Sequence, residues 1–276
     1  MLFWAAIAVA LLIFSAIYFY FYAPPSFPIR TADAAEILAA EPHQLLFFRF
    51  RPDPRVIVLD FPDPLAQGQM LNRITAFLEK AGVPRERVLA DDELAASIRA
   101  AGATPATYAP THAYSAASLV RFFRLMAEDR VAPNREESEL RALIGALHWF
   151  APGAVGALVA LPGAGAPSAR ARLLSHELAN AAYFVSPAYA VHAQRFFQDT
   201  LTPSERDFFR HLLAARGDDP DLTDLLVNET QATLLFPLAR ILIAPARLQE
   251  LRTRYRQGIP LGWLKEIAPD PAASRR

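Results

Sequence analysis

Arg172-Leu173-Leu174-Ser175-His176-Glu177-Leu178-Ala179-Asn180-Ala181-Ala182-Tyr183-Phe184 contains neither Gly nor Pro and predicts one continuous helix. At about 100° per residue, His176, Asn180 and Tyr183 fall close together on one face, with Glu177 at its edge. An imidazole, a carboxylate and an amide sharing one helix face can hold a cation, move a proton, or lock one another into a polar network. A second stretch sharpens the choice. Asp218-Asp219-Pro220 opens a later helix, predicted from about Asp221 to Phe236 and stopped by Pro237. In projection Glu229 lies on that helix among Leu222, Leu225, Leu226, Ala232, Thr233 and Phe236. A carboxylate in an apolar stripe needs a partner: a metal, an arginine, or a histidine on a facing helix.

Composition narrows the function classes. The chain of 276 residues is 53% hydrophobic and 20% charged, which is globular rather than disordered. Basic and acidic residues balance at 28 each, so there is no electrostatic footprint for nucleic acid. The absence of cysteine removes disulfides, thiolate metal sites and a cysteine nucleophile.

Leu2 to Tyr22 is almost wholly apolar and uncharged, and ends in the aromatic cluster Tyr18-Phe19-Tyr20-Phe21-Tyr22. As a helix it would span roughly 30 Å, the hydrocarbon thickness of a bilayer. A basic leader and a small-residue cleavage site are both missing, which favours an uncleaved transmembrane anchor over residues 1–23. Pro24, Pro25 and Pro28 make residues 24–42 a linker, leaving 43–276 as one folded domain. This architecture predicts a single-pass membrane protein with its main domain exported, although Arg30 weakly favours the opposite orientation.

Within the folded part, Gln44 to Phe50 and Arg55 to Phe61 predict two strands joined by Arg51-Pro52-Asp53-Pro54. Helices are predicted over Gln69–Ala81, Asp92–Ala101, Ala116–Asp129 (capped by Ser115) and Arg135–Phe150. Val155 to Leu161 predicts a short strand before the central helix. Ala188–Leu201 and a helix opened by Thr202-Pro203-Ser204-Glu205 and closed at Gly217 follow it. His112 and Tyr114 are candidates to line a site, while Glu136, Glu137 and Glu139 read as a solvated helix face.

His176-Glu177-x-x-Asn180 followed by Asn228-Glu229 resembles the gluzincin zinc metallopeptidases, and the folded region resembles uncharacterised exported bacterial proteins with a similar His-Glu helix. In gluzincins a His-Glu-x-x-His helix supplies two zinc ligands and a general base, and a later Glu supplies the third ligand. The resemblance implies a predominantly helical α+β fold with a zincin-like helix pair and a few strands, preceded by one transmembrane helix. It implies His176, Asn180 and Glu229 as the metal positions and Glu177 as the catalytic base activating a metal-bound water. Asn180 stands where that pattern has its second histidine. A neutral amide oxygen is a poor zinc donor. Losing one of about four ligands, worth roughly 3 kcal/mol, weakens binding about a hundredfold. Zinc binding is therefore expected to be weak or absent, with His192 and His211 poorly spaced to compensate. The expectation is a metallopeptidase-like protein with a degenerate site, of little or no peptidase activity, with a peptide or protein as partner. The alternative is a membrane-tethered interaction or structural domain, in which His176 donates to Glu229 and Asn180 completes a buried polar network.

Overall fold

The computed structural model describes residues 27–109, 112–163, 165–238 and 240–268. Its centre is a pair of adjacent parallel strands, β3 (Val56–Phe61) and β5 (Ala157–Pro162), every residue of which is buried. Strands covered on both faces read as unbroken apolar runs, which is why Val56-Ile57-Val58-Leu59 and Ala157-Leu158-Val159-Ala160-Leu161 show no polar alternation. Period-two geometry then divides their side chains. Ile57, Leu59, Phe61, Leu158 and Ala160 enter one core, whereas Val56, Val58, Ala157, Val159 and Leu161 enter another.

Three shorter strands complete a mixed sheet in the order β1-β2-β3-β5-β4. β1 (Arg30–Ala32) runs parallel to β2 (Leu46–Phe50), which is antiparallel to β3, with Leu46 opposite Asp60. β4 (His112–Ser115) closes the far edge antiparallel to β5, with Tyr114 opposite Leu158. One face carries α2 (Pro64–Leu78), α4 (Ala116–Glu128) and α5 (Arg135–Ala146), with α3 (Asp91–Ala100) packed behind α2. The other face carries α1 (Ala34–Leu38) and the long helix α6 (Pro167–Val185).

Helix α6 joins the sheet to the rest of the chain. Leu174, Leu178, Ala181 and Val185, spaced by three and four residues, face the sheet. Ala179, Ala182 and Tyr183 face a third, all-helical core. That core is built from α7 (Pro187–Asp199), α8 (Pro203–Ala214), α9 (Thr223–Leu235), α10 (Pro245–Gln257) and α11 (Gly262–Ile267). A helix buried on both sides shows no polar face, so the polar residues it does carry are held by partners. Its first turn is fixed by Arg170, whose guanidinium donates in fork fashion to Asp60 of β3 at 2.9 and 2.6 Å and also to the Pro162 carbonyl at 2.8 Å. Burial raises the Asp60 pKa, and the Arg170 contacts oppose that rise.

The α+β class agrees with the sequence reading. Two parts of that reading change. The expected transmembrane anchor is corrected: among the described residues no helix is long and apolar enough to cross a membrane. Residues 1–23, on which the anchor and the exported location were read, lie outside the described residues. In addition β1 and α1 lie within the stretch read as a linker, because Asp33 and Glu36 form a reciprocal cap and Arg51 beyond β2 binds both carboxylates.

Asp60→Asn leaves the Arg170 charge buried and half-partnered, so it should lower the unfolding free energy by about 3 kcal/mol. Denaturant titration measures this, and a loss below about 1 kcal/mol would show that the pair does not anchor α6.

Candidate functional site

His176 and Glu229 meet between α6 and α9, with His176 Nε2 3.5 Å from Glu229 Oε2. The other ring nitrogen, Nδ1, lies 2.9 Å from the Phe236 carbonyl at the end of α9. A carbonyl only accepts, so Nδ1 carries a proton. Residues 229 and 236 are seven apart, two turns along one face, and α9 therefore grips the imidazole from both sides. Asn180, one turn along α6, directs Nδ2 to Glu229 Oε1 at 2.9 Å and to Glu177 Oε2 at 3.3 Å. Arg216, just past α8, donates to the same Glu229 oxygen that faces His176.

Arg216 belongs to a short strap that crosses from the helical core to the end of α2. Gly217, at a φ of 76°, makes the turn. The backbone N–H of Ala81 donates to the Gly217 carbonyl at 3.1 Å, and that of Asp219 to the Glu79 carbonyl at 2.6 Å. Side chains reinforce the strap: Lys80 Nζ lies 2.8 Å from Asp218 Oδ1 and donates to the Arg216 carbonyl at 3.1 Å, while Arg216 Nε lies 3.4 Å from Asp218 Oδ2.

These charges set the titration of the group. Burial alone would raise the Glu229 pKa, but the Arg216 guanidinium and His176 outweigh it and hold the carboxyl well below the usual range. Burial would likewise lower the His176 pKa, yet the hydrogen bond and charge of Glu229, with smaller help from Glu177 and Phe236, leave it above its ordinary 6.5. Burial and the nearby Glu79 charge push Asp218 up, against Lys80 and Arg216.

A cleft of about 560 Å³ opens beside this cluster, bounded by the end of α2, β4, α6, α9 and the strap. Asn180, Glu229 and Arg216 reach its wall, and β4 contributes Ala113, Tyr114 and Ser115. Glu177 and His176 are buried and are not part of the wall. Tyr183 is also absent from it: its hydroxyl donates to Asp224 at 3.2 Å and accepts from Gln194 at 3.1 Å, and burial pushes its pKa up to about 12.

The expected metal positions can be tested against this geometry. A separation of 3.5 Å between His176 Nε2 and Glu229 Oε2 would suit two ligands of one tetrahedral ion. The third position does not fit. Asn180 turns its NH₂ group, which has no lone pair to give, toward both carboxylates. Among the described residues no three His, Asp or Glu side chains converge to hold a metal ion. His192 instead contacts the Tyr255 carbonyl at 3.0 Å and His211 the Asp207 carbonyl at 2.7 Å. The His112 side chain lies outside the described residues, whereas Tyr114 is buried with its hydroxyl 2.6 Å from Thr75 Oγ1.

Sequence reasoning missed Arg216, Lys80 and Asp218. The segment Arg216-Gly217-Asp218-Asp219 reads locally as a helix end followed by a helix start, and nothing in its spacing reveals a partner at Glu79–Ala81. No protein-family model, no curated protein and no solved structure matches the chain.

Glu229→Ala removes the shared acceptor of Arg216, His176 and Asn180 and should lower the melting temperature by several degrees; an unchanged melting curve would contradict the network. The raised His176 pKa stabilises the fold fully below the unfolded value of 6.5 and loses that contribution as pH rises through the folded value. Stability measured from about pH 6 to about pH 9 should therefore fall in the unmodified protein and fall less in His176→Gln. Parallel curves for the two proteins would assign the pH dependence elsewhere.

Proposed function

We propose that this chain is a metal-independent, non-catalytic peptide-binding domain, in which the helix pair resembling a gluzincin centre serves as a polar network behind a binding cleft. One observation carries the reading: the Arg216 guanidinium supplies the positive charge at Glu229 that a metal would otherwise supply. A buried carboxylate needs one compensating cation, and a tethered guanidinium meets that need without loss of an ion to solvent. Two further features agree with it. Glu177, which would have to reach a substrate-side water to act as base, is bonded to Asn180 and excluded from the cleft wall. The wall instead includes β4, which among the described residues is an edge strand paired on one side only, with β5. Unpaired backbone groups on an edge strand accept an extended chain as an added strand, with the cleft taking its side chains.

If a metal were bound, His176 and Glu229 would hold it and it would polarise a carbonyl or activate water. The remaining residues do not complete its coordination, and no step is assigned to it.

The test is metal content together with hydrolysis. Purified protein should hold far less than one equivalent of zinc and cleave no peptide, and Asn180→His alone should gain little because Arg216 still occupies Glu229. Asn180→His combined with Arg216→Ala should bind zinc roughly a hundredfold more tightly than the unmodified chain. Stoichiometric zinc in the unmodified protein, with peptide cleavage lost in Glu177→Gln, would replace this reading with an active metallopeptidase.

A further inference from the structure

The cleft contains an acceptor and a charge that the internal network leaves over. Asn180 is only 3% exposed and lies on the cleft wall, and its Oδ1 is buried with no hydrogen-bond partner among the described residues. An orphaned buried acceptor costs stability until a donor reaches it, on the order of 1–3 kcal/mol. The amide cannot turn to satisfy itself, because Nδ2 is engaged by Glu229 and Glu177. Nearby, Asp224 accepts from the neutral Tyr183 hydroxyl and has no cationic partner among the described residues. Asn180 and Asp224 line the same cleft.

Of the three basic side chains on the same wall, two are paired with carboxylates. Arg216 is paired with Glu229 and Asp218, and Lys80 with Asp218. Arg121 donates to the Arg85 carbonyl and lies over the Phe77 ring. On the α6 and α9 side of the cleft, among the described residues, Asn180 Oδ1 has no donor and Asp224 no cation, with the Phe184 side chain on the same wall.

We infer that the cleft selects a partner segment carrying a guanidinium or ammonium side chain, whose N–H groups donate to Asn180 Oδ1 and whose charge faces Asp224. This rests on the proposed peptide-binding function and adds its specificity. A cation there satisfies the orphaned oxygen and the unpaired carboxylate together, and a ring on the wall favours a weakly hydrated cation such as guanidinium. An acidic side chain would meet both as repulsion.

The experiment compares end-blocked, unstructured nonapeptides that differ only at the centre: arginine, citrulline or glutamate. Each is titrated by calorimetry into the full chain. The arginine peptide should bind roughly tenfold more tightly than the citrulline peptide, with the glutamate peptide weakest. Asp224→Asn, at an exposed position, should remove most of the preference for arginine over citrulline. Asn180→Leu, checked for a native melting curve, should weaken the arginine peptide as well. Equal binding of all three peptides would overturn the specificity and leave the peptide-binding function standing. Binding of none would overturn both.

Discussion

A largely buried carboxylate that must stay ionised is the constraint on which this structure is organised. Glu229 sits in the interface of α6 and α9, and three side chains from separate places converge on it: His176 and Asn180 from α6, and Arg216 from the strap after α8. Each is short of alternatives. The imidazole is fixed by the Phe236 carbonyl, the amide by Glu177, and the guanidinium by Asp218. Removing the cation would leave an ion in a medium that solvates it poorly, so the arrangement is cooperative rather than a sum of separate contacts.

The fold delivers these groups to one point through α6. The Arg170–Asp60 pair pins its first turn to the central strand, and the Leu174–Leu178–Ala181–Val185 stripe fixes its rotation against the sheet. Once that stripe faces the sheet, 3.6 residues per turn put His176 and Asn180 toward α9. The strap then joins the two halves of the chain at Lys80, so the cation at Glu229 reports on how α2 and α8 are held together.

Much of this was legible in the sequence, for physical reasons that differ by element. The central helix, the strands β2, β3 and β5, and the caps Ser115 and Thr202 follow from local periodicity and local hydrogen bonding, and the structure forms them. Glu229 is legible as an anomaly because a carboxylate in an apolar stripe needs a partner, and both histidine and arginine can supply one. Which of them it meets depends on residues far away in the chain, and that does not follow from spacing. β4 has only four residues and merges with the cap of the next helix, so it carries too little pattern to read. The helix from Pro64 starts five residues before the Gln69 that the periodicity predicts, because the Asp63 side chain caps it and Pro64 takes its first turn. The apolar run of residues 2–22 suggested a membrane span, and the described residues contain no such helix.

The account depends most directly on the protonation of one ring. Nitrogen-15 spectra of His176 in the purified, metal-supplemented protein near pH 6 test it. The account predicts two protonated ring nitrogens, an imidazolium donating to Phe236 and Glu229, with shifts unmoved by added zinc. An unprotonated Nε2 whose shift changes on zinc addition would contradict it, and would return the site to metal chemistry.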